Sequence, residues 1–328
     1  MLRIDYRGYK EVELHGNALG YMSASKYLFE ALGRSEEVEF SDDAEIALHF
    51  CNPRVFKPVA GKKNVLYTMC ESNPAPSYHM EPLLLGNVDL QIVPSKFCYD
   101  ALIDMCRETG VPMEVATLGF DPDAYPYVER SWSPGERFNF LWIGAPNGRK
   151  GMGPVSRAWD LGFADQDFAS VIFKTTDPKG EGKLQYLSDN CIFDSRFVSR
   201  EELQELVRQS HCAVLPSHAE GFGLVHLECL ATGMPVITVK HSAQVEFLKD
   251  DALYAEFQMR KIKTSDGEDF NAAVTNEVDL MRQMAKVIKK YSLYLKRAKR
   301  GSDRVHKTRT WKQAAKETLA AIKDFANA

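Results

Sequence analysis

The chain has 328 residues, of which 45% are hydrophobic, 26% charged and 11% aromatic, with no low-complexity run; this is a globular composition, long enough for two domains and apolar enough for two cores. Net charge is −4 and unevenly spread, since residues 1–133 hold 12 Lys/Arg against 20 Asp/Glu and the remainder 29 against 25. The front half therefore does not advertise a nucleic-acid partner, although eleven basic residues and one acidic residue between Lys286 and Lys312 keep one in play.

Met1 to Glu13 carries charges every few residues and lacks the apolar stretch of a signal peptide. No run of about 18 apolar residues occurs, so the expectation is a cytoplasmic protein with no transmembrane segment. The cysteines at 51, 70, 98, 106, 191, 212 and 229 are odd in number and scattered without a Cys-x-x-Cys pair, which reads as free thiols rather than disulfides or zinc ligands.

In chain order, strands alternate with helices, the pattern of parallel sheets covered on both faces. Tyr21–Leu32 is predicted helical, with Tyr21, Ala24, Leu28, Ala31 and Leu32 on one stripe and Gly33 as its stop. Ala44–Phe50, Asn64–Met69, Leu90–Pro94 and Met113–Leu118 read as buried strands, and Ser95–Glu108 as a helix with Ser95 as N-cap. Tyr125–Arg137, with two prolines, a glycine and no periodicity, reads as the interdomain linker. A second alternation follows: strands at Phe138–Ile143, Val171–Lys174, Ile192–Phe193, Cys212–Leu215 and Pro235–Val239, with helices at Glu201–Gln209 and Leu224–Thr232. From Asp279 the chain reads as helix to its end, broken near Gly301. The expected division is an acceptor-side domain over 1–130, a donor domain over 131–305, and a last helix over 306–328 that returns to the first domain.

The segment from Leu215 to Val236 carries the most chemistry. A strand ends at Leu215-Pro216, a loop containing Gly221 and Gly223 lets backbone approach a ligand, and a helix opens near Leu224. A strand, a glycine-rich loop and a helix N-terminus together favour phosphate. Glu220 and Glu228 are eight residues apart, roughly 12 Å along a helix, about the span from sugar to ribose in an extended nucleotide sugar. Earlier, Leu141-Trp-Ile-Gly144-Ala-Pro-Asn-Gly-Arg149-Lys150-Gly151 places two cations in a loop after a strand, where they can neutralise a diphosphate. Lys174, at the carboxyl end of a strand, faces the ligand crevice of such a sheet or is an ordinary solvated end.

The segment with Glu220, Glu228, the Glu220–Leu224 loop and the closing Ala231, Gly233, Pro235 and Val236 resembles the glutamate-x7-glutamate signature of glycosyltransferase family 4. The resemblance covers nearly the whole chain. It implies an α/β fold of two Rossmann-like domains facing across a cleft, the glycosyltransferase B-type fold. It also implies retaining transfer of a sugar from a UDP- or GDP-type nucleotide sugar, without a metal or other cofactor. On it, Glu220, Lys150 and Glu71 are the catalytic candidates. Gly144, Arg149, Lys150, Lys174, Glu220, Gly221, Phe222, Gly223, Leu224 and Glu228 are the donor-binding candidates. Gly16, Gly20, Tyr21, Glu71 and His79 are candidates for the acceptor side, where a plain turn or structural role is the alternative. The family's usual arginine directly after the first glycine is Ala145 here, so Arg149 or Lys174 would have to supply a second phosphate cation. Pro94-Ser95-Lys-Phe, Leu118-Gly119-Phe-Asp121 and the late Trp311 also resemble family landmarks, of capping, turn and packing character. The acceptor is expected to be a saccharide or small molecule. The alternatives are a phage-type enzyme glycosylating modified DNA bases, which the acidic first domain disfavours, a sugar-nucleotide epimerase, and a non-catalytic nucleotide-sugar-binding protein.

Overall fold

The computed structural model describes residues 1–9, 19–177, 181–263 and 269–327. The first half holds β1 (Leu2–Arg7), α1 (Leu19–Gly33), β2 (Val38–Phe40), β3 (Ile46–Phe50), β4 (Lys63–Tyr67), α2 (Glu81–Leu84), β5 (Leu90–Val93), α3 (Lys96–Thr109) and β6 (Met113–Val115). Its strands form one parallel sheet in the order β2-β1-β3-β4-β5-β6. β3 and β5 are buried along their whole length, as strands covered on both faces by helices must be.

The second half holds β7 (Phe138–Ile143), α4 (Met152–Gly162), β8 (Ala169–Lys174), β9 (Leu184–Ser188), β10 (Cys191–Asp194), α5 (Arg200–Gln209), β11 (Cys212–Val214), α6 (Leu224–Ala231), β12 (Val236–Val239), α7 (Val245–Leu248) and β13 (Leu253–Ala255). The sheet order is β13-β12-β11-β7-β8-β10-β9, parallel except for the edge strand β9. The hairpin of β14 (Phe257–Lys263) and β15 (Asp269–Thr275) follows, then α8 (Glu277–Lys289), α9 (Tyr291–Thr308) and α10 (Trp311–Asn327). Asp121 to Arg137 contains neither helix nor strand. None of the described helices is long and apolar enough to cross a membrane.

Caps explain several helix starts. The Ser95 side chain accepts from the Cys98 N–H, as the sequence predicts, and Ser199 with Glu202 forms a capping box on α5. The late helical region differs from expectation. The chain breaks at Lys290 and again at Arg309–Thr310, while Gly301 lies inside α9. Its missing side chain permits α9 to lie against α6: a Cβ there would meet Leu230 Cδ1 at 2.6 Å. The second break is held by tertiary pairing, because Phe120 donates to the Arg309 carbonyl at 2.9 Å and accepts from the Trp311 N–H at 3.2 Å. α10 then packs on α1, with the Tyr27 and Trp311 rings 5.6 Å apart. Glu317 on α10 accepts from both the N–H and the hydroxyl of Thr117, at 2.8 and 2.7 Å.

Four strands and the hairpin pair were not anticipated in place. β1 is hidden by its charges: Arg3 and Arg7 point outward, while Asp5 is buried and accepts from Arg7 and Lys62 at 2.6 and 2.7 Å. β2 and β13 are edge strands of three residues each, too short to show a period, and β9 is exposed throughout and has no buried run to read. All the parallel strands of each sheet leave their carboxyl ends on the side where the two halves meet, which is the side on which such sheets bind ligands.

Candidate active site

β7 ends at Ile143 and β11 at Val214, and the loops after these neighbouring strands pack on each other. The first contains a 3-10 turn, Gly148–Lys150, opened by Asn147, whose side chain accepts from the Lys150 N–H. Trp142 donates through its indole N–H to the Lys150 carbonyl at 3.0 Å. Gly144 is confined between that indole and the Lys150 stem. The Arg149 carbonyl accepts from the His218 N–H at 2.7 Å, which ties the two loops together.

The two loops bring four charged side chains into one network. The Lys150 ammonium donates to Glu220 Oε1 at 2.6 Å, and Arg149 contacts Glu220 Oε2 at 3.3 Å. Arg149 also donates to the Ala219 carbonyl at 2.8 Å and lies 3.5 Å from Glu71 Oε1. Glu71 leaves the end of β4, so the network joins the two sheets. Burial acts to raise the Glu220 carboxyl, but Lys150 and then Arg149 outweigh it and hold the group well below the ordinary carboxylate range. It is an anion at every physiological pH.

The rest of the Glu220 loop faces the first sheet closely. A Cβ on Gly221 would lie 3.1 Å from the Cys70 carbonyl oxygen and from Met69 Cβ, and Ser95 donates to the Gly221 carbonyl at 2.8 Å. A side chain there would press on the neighbouring domain's backbone, a reason for the glycine that the sequence does not show. Phe222 is buried against Phe247, ring to ring at 5.4 Å. Gly223, with φ 96°, is the N-cap of α6, and Leu224 is its first residue. Glu228, one turn along α6, is half-buried. Burial pushes it up to about 7, against the opposing pull of Arg200 and a hydrogen bond from Tyr125.

Other candidates occupy different places. Lys174 is buried and committed elsewhere, to Asp194 at 3.5 Å and to the carbonyls of Thr175 and Arg196. Tyr21 accepts from the Met69 N–H at 2.6 Å and lies 3.0 Å from the Thr68 hydroxyl, so it fastens α1 to the segment that leads to Glu71. Gly20 is exposed with open space around it. His79 is buried and stacks on Tyr78 at 4.6 Å. Gly16 lies outside the described residues.

The sequence reading missed the residues that brace this arrangement. Ser242, at φ 62°, accepts from the Glu220 N–H at 2.9 Å, and the Ala243 N–H donates to the Glu220 carbonyl at 3.1 Å. Glu246 reaches across to the first domain and accepts from the Lys96 and Phe97 N–H groups at 3.1 and 2.9 Å, capping α3 from outside. Asn271 on the hairpin donates to the Asn73 carbonyl at 2.7 Å. No local pattern marks these residues, since each acts on a segment far away in sequence.

Residues 196–318 match the model of a family described as "Family 4 Glycosyltransferase in conflict systems". No curated protein sequence matches the chain. Among solved structures, sucrose-phosphate synthase from Thermosynechococcus elongatus is 15% identical with a TM-score of 0.63, over 94% of this chain and 79% of that one. The Anabaena protein Alr3699/HepE, in complex with UDP-glucose, is 12% identical with a TM-score of 0.65, over 99% of this chain and 100% of its own. The trehalose-6-phosphate synthase OtsA is 12% identical with a TM-score of 0.60, over 94% of this chain and 76% of its own. The two parallel Rossmann-like sheets are those of the glycosyltransferase B-type fold.

Proposed function

We propose that this chain is a retaining nucleotide-sugar glycosyltransferase of family 4 that binds a UDP- or GDP-type donor on its second domain and transfers the sugar to a hydroxyl of a saccharide or small molecule. The domains are taken as 1–130 and 131–305, with 306–328 strapping the second to the first. The observation that carries this reading is the Lys150–Glu220–Arg149–Glu71 network, which sets two cations and two carboxylates between the sheets at their carboxyl ends.

The chemistry follows from the charges. The diphosphate lies at the α6 N-terminus and the Gly144–Gly151 loop, where Lys150 and Arg149 meet the charge that develops as the sugar–phosphate bond breaks. Arg149 takes the place of the arginine that Ala145 does not supply. Glu220, held as an anion, accepts from sugar hydroxyls, and Glu228 accepts from the ribose diol. The acceptor hydroxyl attacks the anomeric carbon on the face the diphosphate leaves. The carbon–oxygen bond to phosphate breaks as the new glycosidic bond forms, and the hydroxyl proton passes to the departing phosphate oxygen. Glu71, one contact from Arg149, sits on the acceptor side and orients that hydroxyl. In this reading Gly221, Phe222, Gly223 and Leu224 shape the donor loop, Tyr21 holds the acceptor-side loop, and Lys174 acts only through Asp194.

Two measurements check the donor site. A nucleotide sugar of the correct base stabilises the protein by about 2.7 kcal/mol at a hundredfold excess over its dissociation constant. If no UDP- or GDP-type ligand raises the melting temperature, the donor assignment is wrong. The second is pH dependence. Because Glu228 ionises at about 7, the carboxylate that accepts from the ribose forms only as pH rises through that value. Donor affinity therefore strengthens from pH 6 to 8, by at most tenfold per pH unit below the pKa. The same raised value means that native stability from neutral Glu228 is lost as pH climbs from the ordinary carboxylate range to about 7. Titration calorimetry across this range on wild type and Glu228→Gln decides the matter: a pH slope that survives in the variant belongs to another group.

A further inference from the structure

The carboxyl ends of β1 and β3 and the turn that follows β3 line an open surface cavity of about 490 Å3, bounded by Arg7, His49, Cys51, Val55, Lys57 and Val59. That volume falls in the roughly 300–1,000 Å3 range of small-molecule sites.

The wall is built rather than incidental. The Asn64 side-chain amide donates to the carbonyls of Val59 and Lys62 at 3.2 and 3.0 Å, and its oxygen accepts from the Val59 N–H at 2.8 Å. These bonds fix which end of the amide is oxygen. His49 Nε2, 2.9 Å from that oxygen, must therefore carry the ring proton, which leaves Nδ1 as an acceptor. Burial, supported by the nearby Arg7, holds His49 below its ordinary value and keeps it neutral.

The charge of the wall is positive. Arg7 and Lys57 line it, and the carboxylate that pairs with Arg7, Asp5, gives the same oxygen to Lys62 outside the lining, at 2.6 and 2.7 Å, so Asp5 does not cancel the Arg7 charge alone. Lys57 is exposed and makes no ion pair among the described residues. This is a basic pocket in a half of the chain where acidic residues outnumber basic ones by 20 to 12. It is also close to the network. β3 pairs with β4, and the Cys51 N–H at the cavity edge donates to the Tyr67 carbonyl at 3.2 Å, on the strand that leads to Glu71.

We propose that this cavity is the acceptor subsite and that it takes a saccharide bearing an anionic group, phosphate or carboxylate, with the anion against Arg7 and Lys57. The assignment rests on the transfer reading above and narrows its acceptor class. A hydroxyl of the same sugar then lies toward Glu71, one strand away, where the donor's anomeric carbon is presented. Two arms test it. In the first, inorganic phosphate is titrated while the His49 imidazole is followed by NMR. The His49 signal moves in wild type and in Lys261→Glu, a charge change on the distant hairpin, and Lys57→Glu weakens the apparent affinity at least tenfold. In the second, transfer from the donor that stabilises the protein is measured to glucose, glucose 6-phosphate, glucuronic acid and a duplex oligonucleotide, with donor hydrolysis followed in the same samples. Preference for at least one anionic sugar over glucose, with the ratio of their kcat/KM values falling at least tenfold in Lys57→Glu, supports the subsite. The phosphate and carboxylate sugars tell the two anions apart. Equal use of glucose and the anionic sugars, an unchanged ratio in Lys57→Glu, or transfer to DNA alone overturns it. Donor hydrolysis with no use of any anionic sugar sinks the subsite and leaves the transfer reading standing, whereas absence of donor binding and hydrolysis sinks both.

Discussion

Replacing Lys150 with alanine lowers kcat by a factor of about 10²–10³, the usual cost of removing one preorganised group that meets charge developing in a transition state. Donor affinity falls much less, because the diphosphate is already charged in the ground state while the extra negative charge appears only as the sugar–phosphate bond breaks. The structure sharpens this expectation. Lys150 is 2.6 Å from Glu220, so its loss also leaves a buried carboxylate with Arg149 as its one remaining cation, at 3.3 Å. Some stability is lost as well, short of the ~3–5 kcal/mol of a fully buried pair broken at one end, since Arg149 stays and Lys150 is partly exposed. Single-turnover rates at saturating donor, set beside the dissociation constant and the melting temperature, separate the three effects. A variant that turns over normally once saturated would show that Lys150 serves binding alone. Glu220→Gln provides the counterpart: it removes the anion that anchors both cations, and it lowers activity without removing either of them.

Much of the donor half was legible in the sequence because it is local. The strand ending at Leu215, the loop over Glu220–Gly223 and the helix from Leu224 lie in one stretch, so apolar run, glycines and periodicity read together. β7 and the Arg149–Lys150 turn were legible for the same reason. The pairing of Lys150 with Glu220 was not, because the two are 70 residues apart and the sequence gives each a separate role. Glu246 is harder still, a carboxylate on a short helix whose partners are N–H groups 149 and 150 residues earlier. Lys174 went the other way. Its position at a strand end was read correctly, yet Asp194 on the adjacent β10 claims its ammonium, and no register between β8 and β10 can be read from one sequence. The β14–β15 hairpin escaped notice because β14 is exposed almost throughout and offers no buried alternation.

Gly151→Ala should be among the most damaging single-methyl additions to this protein, through the backbone rather than through any side-chain chemistry. It follows Lys150, closes the 3-10 turn and opens α4. Its φ is 72°, and a Cβ would sit 2.3 Å from the Pro216 carbonyl oxygen, on the loop after β11. Two costs add. The left-handed backbone costs a non-glycine residue about 1–2 kcal/mol, and forcing a methyl into packed backbone costs roughly 1–3 kcal/mol more. Gly110 supplies the control, because it has φ 73° and nothing within 4 Å of the same position, so Gly110→Ala incurs the backbone term alone. The difference in stability between the two variants therefore measures the contact with Pro216, and Gly151→Ala melts several degrees below Gly110→Ala, on a scale of about 2–4 °C per kcal/mol. The same contact sets the Lys150 loop against the Glu220 loop, so the folded fraction of Gly151→Ala also turns over more slowly, while Gly110→Ala keeps wild-type kcat. Melting curves and rates normalised to folded protein check both parts. If the two alanine variants melt together and react alike, the two loops do not depend on this contact, and the placement of Lys150 must come from Asn147 and Trp142 instead.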